Sequence, residues 1–248
     1  MSRYLCDLHI HSCLSPCADD DMTPGNIAGM AVLNGLQIVA LTDHNTCRNC
    51  PAFFHHAKSF GLIPIPGMEL TTAEDIHVLC LFPTLEGAMD FDAYVDTRRP
   101  HIKNEVDFFG HQYLTDEQDE IVGEEDNLLL HASSLSLEEA HAEVTRRGGV
   151  CYPAHIDRAA NGMIEILGDF PPEPPYTAYE LNGEDSRERM LQRFPMLSSL
   201  VCVASSDAHR LTDIREEGFP IELADEPYSS ERVRTELIKT LRGRCSDG

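Results

Sequence analysis

Basic residues and long apolar runs are both scarce in this chain. Its 248 residues include 19 Lys and Arg against 42 Asp and Glu, which gives a formal net charge of −23. A surface this acidic repels a polyanionic backbone, so we expect no binding to duplex nucleic acid. No stretch is long and apolar enough to span a bilayer, and no apolar signal region follows Met1. We therefore expect no membrane partner.

The sequence also lacks the even cysteine count of a fully paired disulfide framework. Nine cysteines without a secretory signal predict a reducing, cytoplasmic location and mostly free thiols. Cys47 and Cys50 form a C-x-x-C pair, which we interpret as two ordinary thiols because the pattern alone is weak evidence. A separate zinc or iron–sulfur site that combines them with Cys13 and Cys17 is the less favoured alternative.

What the chain does contain is a repeated alternation of short apolar runs and helical segments. Short runs that are apolar throughout are typical of strands buried on both faces of a parallel sheet. Strand followed by helix predicts an α/β barrel or a doubly wound sheet, and the length suits one compact domain over residues 1–248. The apolar runs cover residues 4–11, 38–42, 63–68, 76–82, 149–154 and 200–206.

Helix signals fall between these runs. Thr23 and Pro24 predict a helix start, and Ser136 with Glu139 forms a capping box. Pro64 and Pro66 favour an edge or irregular strand. The acidic, irregular stretch at 84–130 reads as an insertion that acts as a lid, with a hairpin between 112–114 and 127–130. The predicted helices cover residues 26–34, 51–60, 136–148 and 231–241.

Histidines and carboxylates stand at the ends of the apolar runs. The carboxyl ends of parallel strands meet on one face, so residues far apart in the sequence would converge there. Neutral imidazoles and carboxylates are natural ligands for Zn, Mn and Fe. A lone histidine is most often structural, but a set of this size is hard to explain that way. The set comprises His9, His11, Asp43, His44, Glu69, His77, His155, Asp207 and His209.

The order of these residues resembles the motifs of the PHP (polymerase and histidinol phosphatase) family. The resemblance implies a distorted seven-stranded β/α barrel, two or three divalent metal ions at its carboxyl face, and phosphoesterase chemistry. The acidic surface favours a small phosphorylated substrate. The motifs are Asp7-Leu8-His9-Ile10-His11-Ser12, Leu41-Thr42-Asp43-His44, Pro66-Gly67-Met68-Glu69, Pro153-Ala154-His155 and Ser206-Asp207-Ala208-His209.

The resemblance also implies a role for each ligand. His9, His11, Glu69 and Asp207 would hold the first metal. Glu69 would bridge to a second metal that His77 and His155 complete, and His44 with His209 would hold a third. Glu69 is expected to be essential for turnover. Asp207, His209 or a metal-bound water molecule is expected to protonate the leaving group.

The sequence differs from the family pattern at a ligand of the third metal. Histidinol-phosphatase-like members carry a histidine ligand at the place of Cys17, and many other members use a nearby aspartate. A Cys17 thiolate would favour a softer metal such as Zn or Fe. Asp19 is the competing ligand, and a site with two metals only is the third reading.

Two arginines are placed to meet a phosphate. Arg158 and Arg210 follow His155 and His209 closely, and the arginine fork suits phosphate oxygens. A surface ion pair is an equally good interpretation of either. Two other functions stay open: a catalytically silent metal-binding module, and a metal-dependent amidohydrolase that cleaves a C–N bond.

Overall fold

The computed structural model describes residues 1–183 and 186–243, and within them no helix is long and apolar enough to cross a membrane. The strands are β1 (Ser2–Asp7), β2 (Ile38–Leu41), β3 (Ile63–Thr71), β4 (His77–Leu81), β5 (Tyr113–Thr115), β6 (Ile121–Glu124), β7 (Val150–Pro153), β8 (Ala178–Leu181), β9 (Val201–Ala204) and β10 (Phe219–Leu223). The α-helices are α1 (Pro24–Leu33), α2 (Cys50–Ser59), α3 (Leu85–Asp96), α4 (Val106–Phe109), α5 (Leu137–Arg146), α6 (Met163–Leu167), α7 (Arg187–Arg193) and α8 (Ser230–Leu241).

One curled sheet holds six of these strands in the order β10-β1-β2-β3-β4-β7. Strands β1, β2 and β3 run parallel to one another, as the sequence predicts. β4 runs antiparallel to both β3 and β7, and β10 runs antiparallel to β1. The fold is therefore mixed α/β, and the expected parallel pairing holds for β1, β2 and β3 but not for β4, β7 and β10.

The parallel pair β8–β9 stands apart from this sheet and meets it at single hydrogen bonds. The Ile156 amide donates to the Glu180 carbonyl at 2.9 Å, and the His11 amide donates to the Ala208 carbonyl at 3.0 Å. These bonds bring β8 beside the end of β7 and β9 beside the end of β1. The result is a curled, open sheet with a separate pair, and a closed seven-stranded barrel is not confirmed.

Both faces of the sheet are buried, which explains why the strand sequences are apolar throughout. In β2, Val39 and Leu41 pack into one hydrophobic cluster with residues of α1 and α2. Ile38 and Ala40, which point the opposite way, join a second cluster with residues of α8. Helices α1 and α2 thus cover one face of the sheet, and helix α8 covers the other.

The prolines of β3 do not place it at an edge. Pro64 and Pro66 lie in the part of the strand that pairs with β2, whereas pairing with β4 begins only at Gly67. Their missing N–H groups therefore cost no bond to β4, and the prediction of an edge or irregular strand is wrong. A Cβ at Gly67 would lie 2.9 Å from the Cys80 carbonyl oxygen, so glycine permits this close approach.

The stretch at 84–130 is more regular than its sequence predicts. α3 occupies its start, capped by Thr84, and buries Ala88, Phe91 and Val95. The hairpin pairs Tyr113–Thr115 with Ile121–Glu124, so the predicted strand partner at 127–130 is wrong. The predicted capping box of α5 is present.

The hairpin is fixed against the loop that follows β1. The Asn49 amide donates to the Ser12 hydroxyl and to the Tyr113 carbonyl, both at 3.0 Å. Its oxygen accepts from the Thr115 amide at 3.1 Å. One buried side chain thus joins the hairpin to the loop after β1.

Candidate metal centre

Three overlapping groups of side chains at one edge of the sheet have the spacing of metal ligands. Within each group the candidate nitrogen and oxygen atoms all lie within 4.8 Å of one another. The structure therefore brings together the histidines and acids that the sequence places at strand ends. The groups are His9, His11, Glu69 and Asp207; His44, Glu69 and His77; and His11, His44 and His209.

The Glu69 carboxylate is the centre of this arrangement and is almost completely buried. It faces five imidazoles, three of them near Oε1 and two near Oε2. Oε1 lies 3.3 Å from His9 Nε2, 2.8 Å from His77 Nδ1 and 3.0 Å from His155 Nε2. Oε2 lies 3.3 Å from His11 Nε2 and 3.0 Å from His44 Nδ1. Both oxygens are thus available to ligands on two sides.

Strand direction explains why these residues meet. His9 and His11 follow β1, and His155 follows β7, so they emerge at the carboxyl ends of their strands. His77 is the first residue of β4, but β4 is antiparallel to β3 and β7, and its amino end therefore lies at the same edge. Glu69 lies within β3, beside its bridge partner His44.

Three residues with side chains at this edge have a left-handed backbone conformation. His155 has φ 25° and Asp207 has φ 52°, while Asn45, directly after His44, has φ 53°. The left-handed region costs a residue with a side chain on the order of 1–3 kcal/mol, and such residues cluster at functional sites. Two of these three residues are themselves candidate ligands.

Hydrogen bonds behind the ligands orient their rings. His11 Nδ1 lies 3.0 Å from the Ser15 hydroxyl, which donates to Asp43 at 2.8 Å. His9 Nδ1 lies 2.9 Å from Glu180 Oε1. Glu180 is not among the residues predicted from the sequence, because β8 is a four-residue strand that gives no clear apolar signal. An acid within the run Tyr-Glu-Leu is the one clue, since acids are rarely buried unless paired.

The close packing of acids and imidazoles shifts their pKa values. Burial alone would raise the pKa of Glu69, but the facing imidazoles hold it well below its ordinary range. Burial would lower the pKa of His11, but hydrogen bonds to Asp207 and Glu69 raise it to about 9. Burial and the charge of His11 lower the pKa of His209 to about 3. The facing imidazoles thus favour the anionic form of Glu69, which is the form that binds a metal.

The remaining predicted residues lie at the rim of the cluster. The exposed Cys17 side chain lies close enough to His44 to interact with its imidazole. The exposed Asp19 carboxylate instead lies 3.6 Å from Arg210 Nε. Arg158 donates to Asp207 Oδ2 at 2.6 Å, which places its guanidinium at the site. Each of the two arginines thus forms an ion pair.

The C-x-x-C pair lies in the core. Cys47 and Cys50 are buried free thiols, and the Cys47 thiol donates to the Gly67 carbonyl at 3.1 Å. Burial holds the pKa of Cys47 well above its ordinary value. This placement agrees with the interpretation as ordinary thiols.

The cluster fits divalent cations. Among the described residues, two buried atoms that face the other ligands, His44 Nδ1 and Asp207 Oδ1, have charged groups at 3.0–3.3 Å but make no hydrogen bond of acceptable geometry. A buried polar atom without a partner is costly unless something binds it. Imidazole nitrogens and carboxylate oxygens together suit Zn, Mn and Fe.

The sheet places imidazoles and carboxylates around one buried glutamate, an arrangement typical of metal-binding proteins. Within that class, the chain belongs to the PHP domain family, whose model matches residues 7–167. An uncharacterized protein of Methanocaldococcus jannaschii is 36% identical over 76 residues, which cover 27% of this chain and 44% of that protein.

Solved structures share the fold at low identity. A lesion-specific endonuclease, EndoQ from Pyrococcus furiosus, superposes with a TM-score of 0.64 and 19% identity over 99% of this chain. A proposed metal-dependent phosphoesterase from Bifidobacterium adolescentis gives a TM-score of 0.54 and 20% identity, covering 82% of this chain and 87% of that one. This chain spans 57% of the EndoQ chain. At these identities the likeness establishes the fold.

One comparison corrects an expectation about partners. Endonuclease Q has also been solved with a 27-mer duplex that carries an abasic lesion at the active site, with a TM-score of 0.64 and 19% identity over 98% of this chain and 58% of that one. A protein of this fold therefore binds duplex nucleic acid, and our use of net charge to exclude such a partner is wrong. Net charge sums carboxylates over the whole surface, whereas binding depends on the local potential at the site. The expectation of a small substrate also rested on net charge, so it has no support from that charge.

Proposed function

We propose that the chain hydrolyses a phosphate ester with two or three divalent metal ions. His9, His11, Glu69 and Asp207 would hold the first ion. Glu69 would bridge to a second, held with His77 and His155, and His44 and His209 would hold a third. The observation that carries the proposal is the buried Glu69 carboxylate, which faces five imidazoles at 2.8–3.3 Å.

Charge balance supports more than one cation. Glu69, Asp207 and Glu180 place three carboxylates in or against the cluster, and Asp7 lies nearby with a pKa that burial raises to about 6. Buried carboxylates are costly without compensating charge. Two divalent cations with neutral imidazoles supply about the charge that these acids require.

The chain's own residues would bind and orient the substrate. When bound, divalent cations lower the pKa of a water molecule and offset the charge on phosphoryl oxygens. Arg158 stands at the rim with 43% of its side chain exposed, so it can donate to a phosphate as well as to Asp207. Asp207 and His209 lie side by side at the same rim. As ligands of the proposed ions they would be unprotonated, so we assign them to metal binding and not to protonating the leaving alkoxide.

A metal-dependence screen tests the proposed function. The purified protein, loaded with Mn, Zn or Fe, would be assayed on p-nitrophenyl phosphate, a nucleotide, duplex DNA with an abasic site, and an amide. We expect cleavage of a phosphate ester that a chelator stops. Bound metal without turnover would favour the silent module, and cleavage of the amide alone would favour C–N hydrolysis.

We infer that Cys17, and not Asp19, completes the third metal site. Both side chains are exposed, but that of Cys17 interacts with His44, whereas the Asp19 carboxylate lies 3.6 Å from Arg210 Nε. A thiolate ligand would favour Zn or Fe. In Co²⁺-loaded protein, Cys17→Ser is expected to abolish a sulfur-to-cobalt charge-transfer band and to lower the bound metal by one ion.

Asp19→Asn is the matched comparison for Cys17→Ser and should change neither the band nor the metal content. A charge-transfer band that survives Cys17→Ser would contradict this assignment. Loss of one ion in Asp19→Asn would move the third site to that carboxylate.

A further inference from the structure

Glu180 lies under the metal centre and touches two of the elements that build it. It is the third residue of β8, and only 1% of it is exposed. Its Oε1 lies 2.9 Å from His9 Nδ1 and accepts from the His155 backbone N–H at 3.3 Å. One carboxylate oxygen therefore joins the segment after β1 to the segment after β7.

The contact with Glu180 determines which nitrogen of His9 faces the cluster. A carboxylate accepts hydrogen bonds, so Nδ1 must carry the proton and Nε2 presents its lone pair. His9 Nε2 lies 3.1 Å from His11 Nε2, 3.2 Å from Asp207 Oδ1 and 3.3 Å from Glu69 Oε1. The lone pair thus points to the middle of the group proposed for the first metal.

The two histidines of the pair are supported differently. Behind His11 stands the neutral Ser15 hydroxyl, at 3.0 Å from Nδ1. Behind His9 stands a carboxylate, which withdraws the ring proton more strongly and makes Nε2 a better donor to a cation. His9 is therefore expected to be the stronger of the two ligands.

The surroundings of Glu180 leave its charge without other compensation. Its second oxygen, Oε2, is buried and has no hydrogen-bond partner in the part of the chain that the structure describes. The same holds there for Asp7 Oδ2 and the Tyr152 hydroxyl. Within the described residues, the Glu180 carboxylate contacts His9 Nδ1 and accepts a hydrogen bond from the His155 backbone N–H. The negative charge thus acts mainly on the metal-binding face.

We propose that Glu180 is a positioning residue that fixes the tautomer of His9, joins β1 to β7, and strengthens binding of the first metal through its charge. The inference rests on the proposed metal centre. Glutamine in place of Glu180 keeps an oxygen that accepts both hydrogen bonds but removes the charge. Alanine removes both.

Co²⁺ titration of metal-free wild type, Glu180→Gln, Glu180→Ala and the exposed-surface control Glu222→Gln tests this inference. Loss of a partner behind a metal-binding histidine typically costs about 10–100-fold in affinity. We expect the tightest site to weaken about tenfold in Glu180→Gln and about a hundredfold in Glu180→Ala. Glu222→Gln should bind as wild type does.

Nuclear magnetic resonance of ¹⁵N-labelled histidine gives a second readout, which a purely structural role would not move. The His9 Nδ1–H proton should be strongly deshielded in wild type, less so in Glu180→Gln, and lost to exchange in Glu180→Ala. Unchanged affinity and an unchanged His9 signal in both variants would overturn the inference while the metal centre stands. Wild-type protein that binds no Co²⁺ would overturn the metal centre itself.

Discussion

Replacing Glu69 by glutamine is expected to abolish metal-dependent hydrolysis while the fold is retained. Glutamine has the same shape but replaces one carboxylate oxygen by an amide NH₂ and removes the charge. Because the carboxylate faces five imidazoles through both oxygens, the variant loses a ligand atom on one side. Activity should fall by more than the roughly 10–100-fold that loss of a supporting partner costs.

The Glu69→Gln result needs three measurements together. Turnover would be measured with saturating metal, bound metal by elemental analysis, and folding by circular dichroism. We expect at least one ion fewer per chain and an unchanged spectrum. Glu222→Gln, an exposed glutamate on β10, should match wild type in all three. Turnover of Glu69→Gln near the wild-type rate would refute the central role of this carboxylate.

The ligands could be located from the sequence because they stand where apolar runs stop. His9, His44, His155 and Asp207 each follow a strand directly or within a few residues. This rule depends only on strand ends meeting at one edge, so it holds although the sheet is mixed. His77 satisfies it for a different reason, since it begins an antiparallel strand whose amino end lies at that edge.

The supporting residues could not be located in this way. Glu180 acts because β8 lies beside the ends of β1 and β7, and that neighbour relation comes from long-range topology. A four-residue strand gives too few residues for a periodic pattern. Asp43 was noticed beside His44, but its bonds to Ser12 and Ser15 were not visible, because they join two loops that the fold alone brings together.

The segment 84–130 shows the opposite error, in which composition misled. Its acidic residues suggested an irregular insertion, yet α3 is a twelve-residue helix with three buried apolar side chains. The acids of α3 lie on its exposed or half-buried face, where their charge says nothing about packing. Apolar spacing at Ala88, Phe91 and Val95, three and four residues apart, is the signal that outweighs composition.

Asp43→Ala is expected to destabilise the metal-free protein by about 3–5 kcal/mol, which is large for one substitution. The carboxylate is 1% exposed and accepts from the Ser12 amide and hydroxyl, both at 2.7 Å, and from the Ser15 hydroxyl at 2.8 Å. Alanine leaves three buried donors without their acceptor. Each such group costs about 1–3 kcal/mol.

Urea unfolding in the presence of a chelator measures this effect, because bound metal would otherwise add its own stabilisation. Asp43→Asn keeps one acceptor oxygen and should lose less than half as much. Asp126→Ala, at an exposed acid of the insertion, should change the free energy of unfolding by no more than about 0.5 kcal/mol. Since the Ser15 hydroxyl also orients His11, metal affinity should fall in Asp43→Ala about tenfold. A loss below 1 kcal/mol would show that the two loops hold together without this carboxylate, and that the support of His11 lies elsewhere.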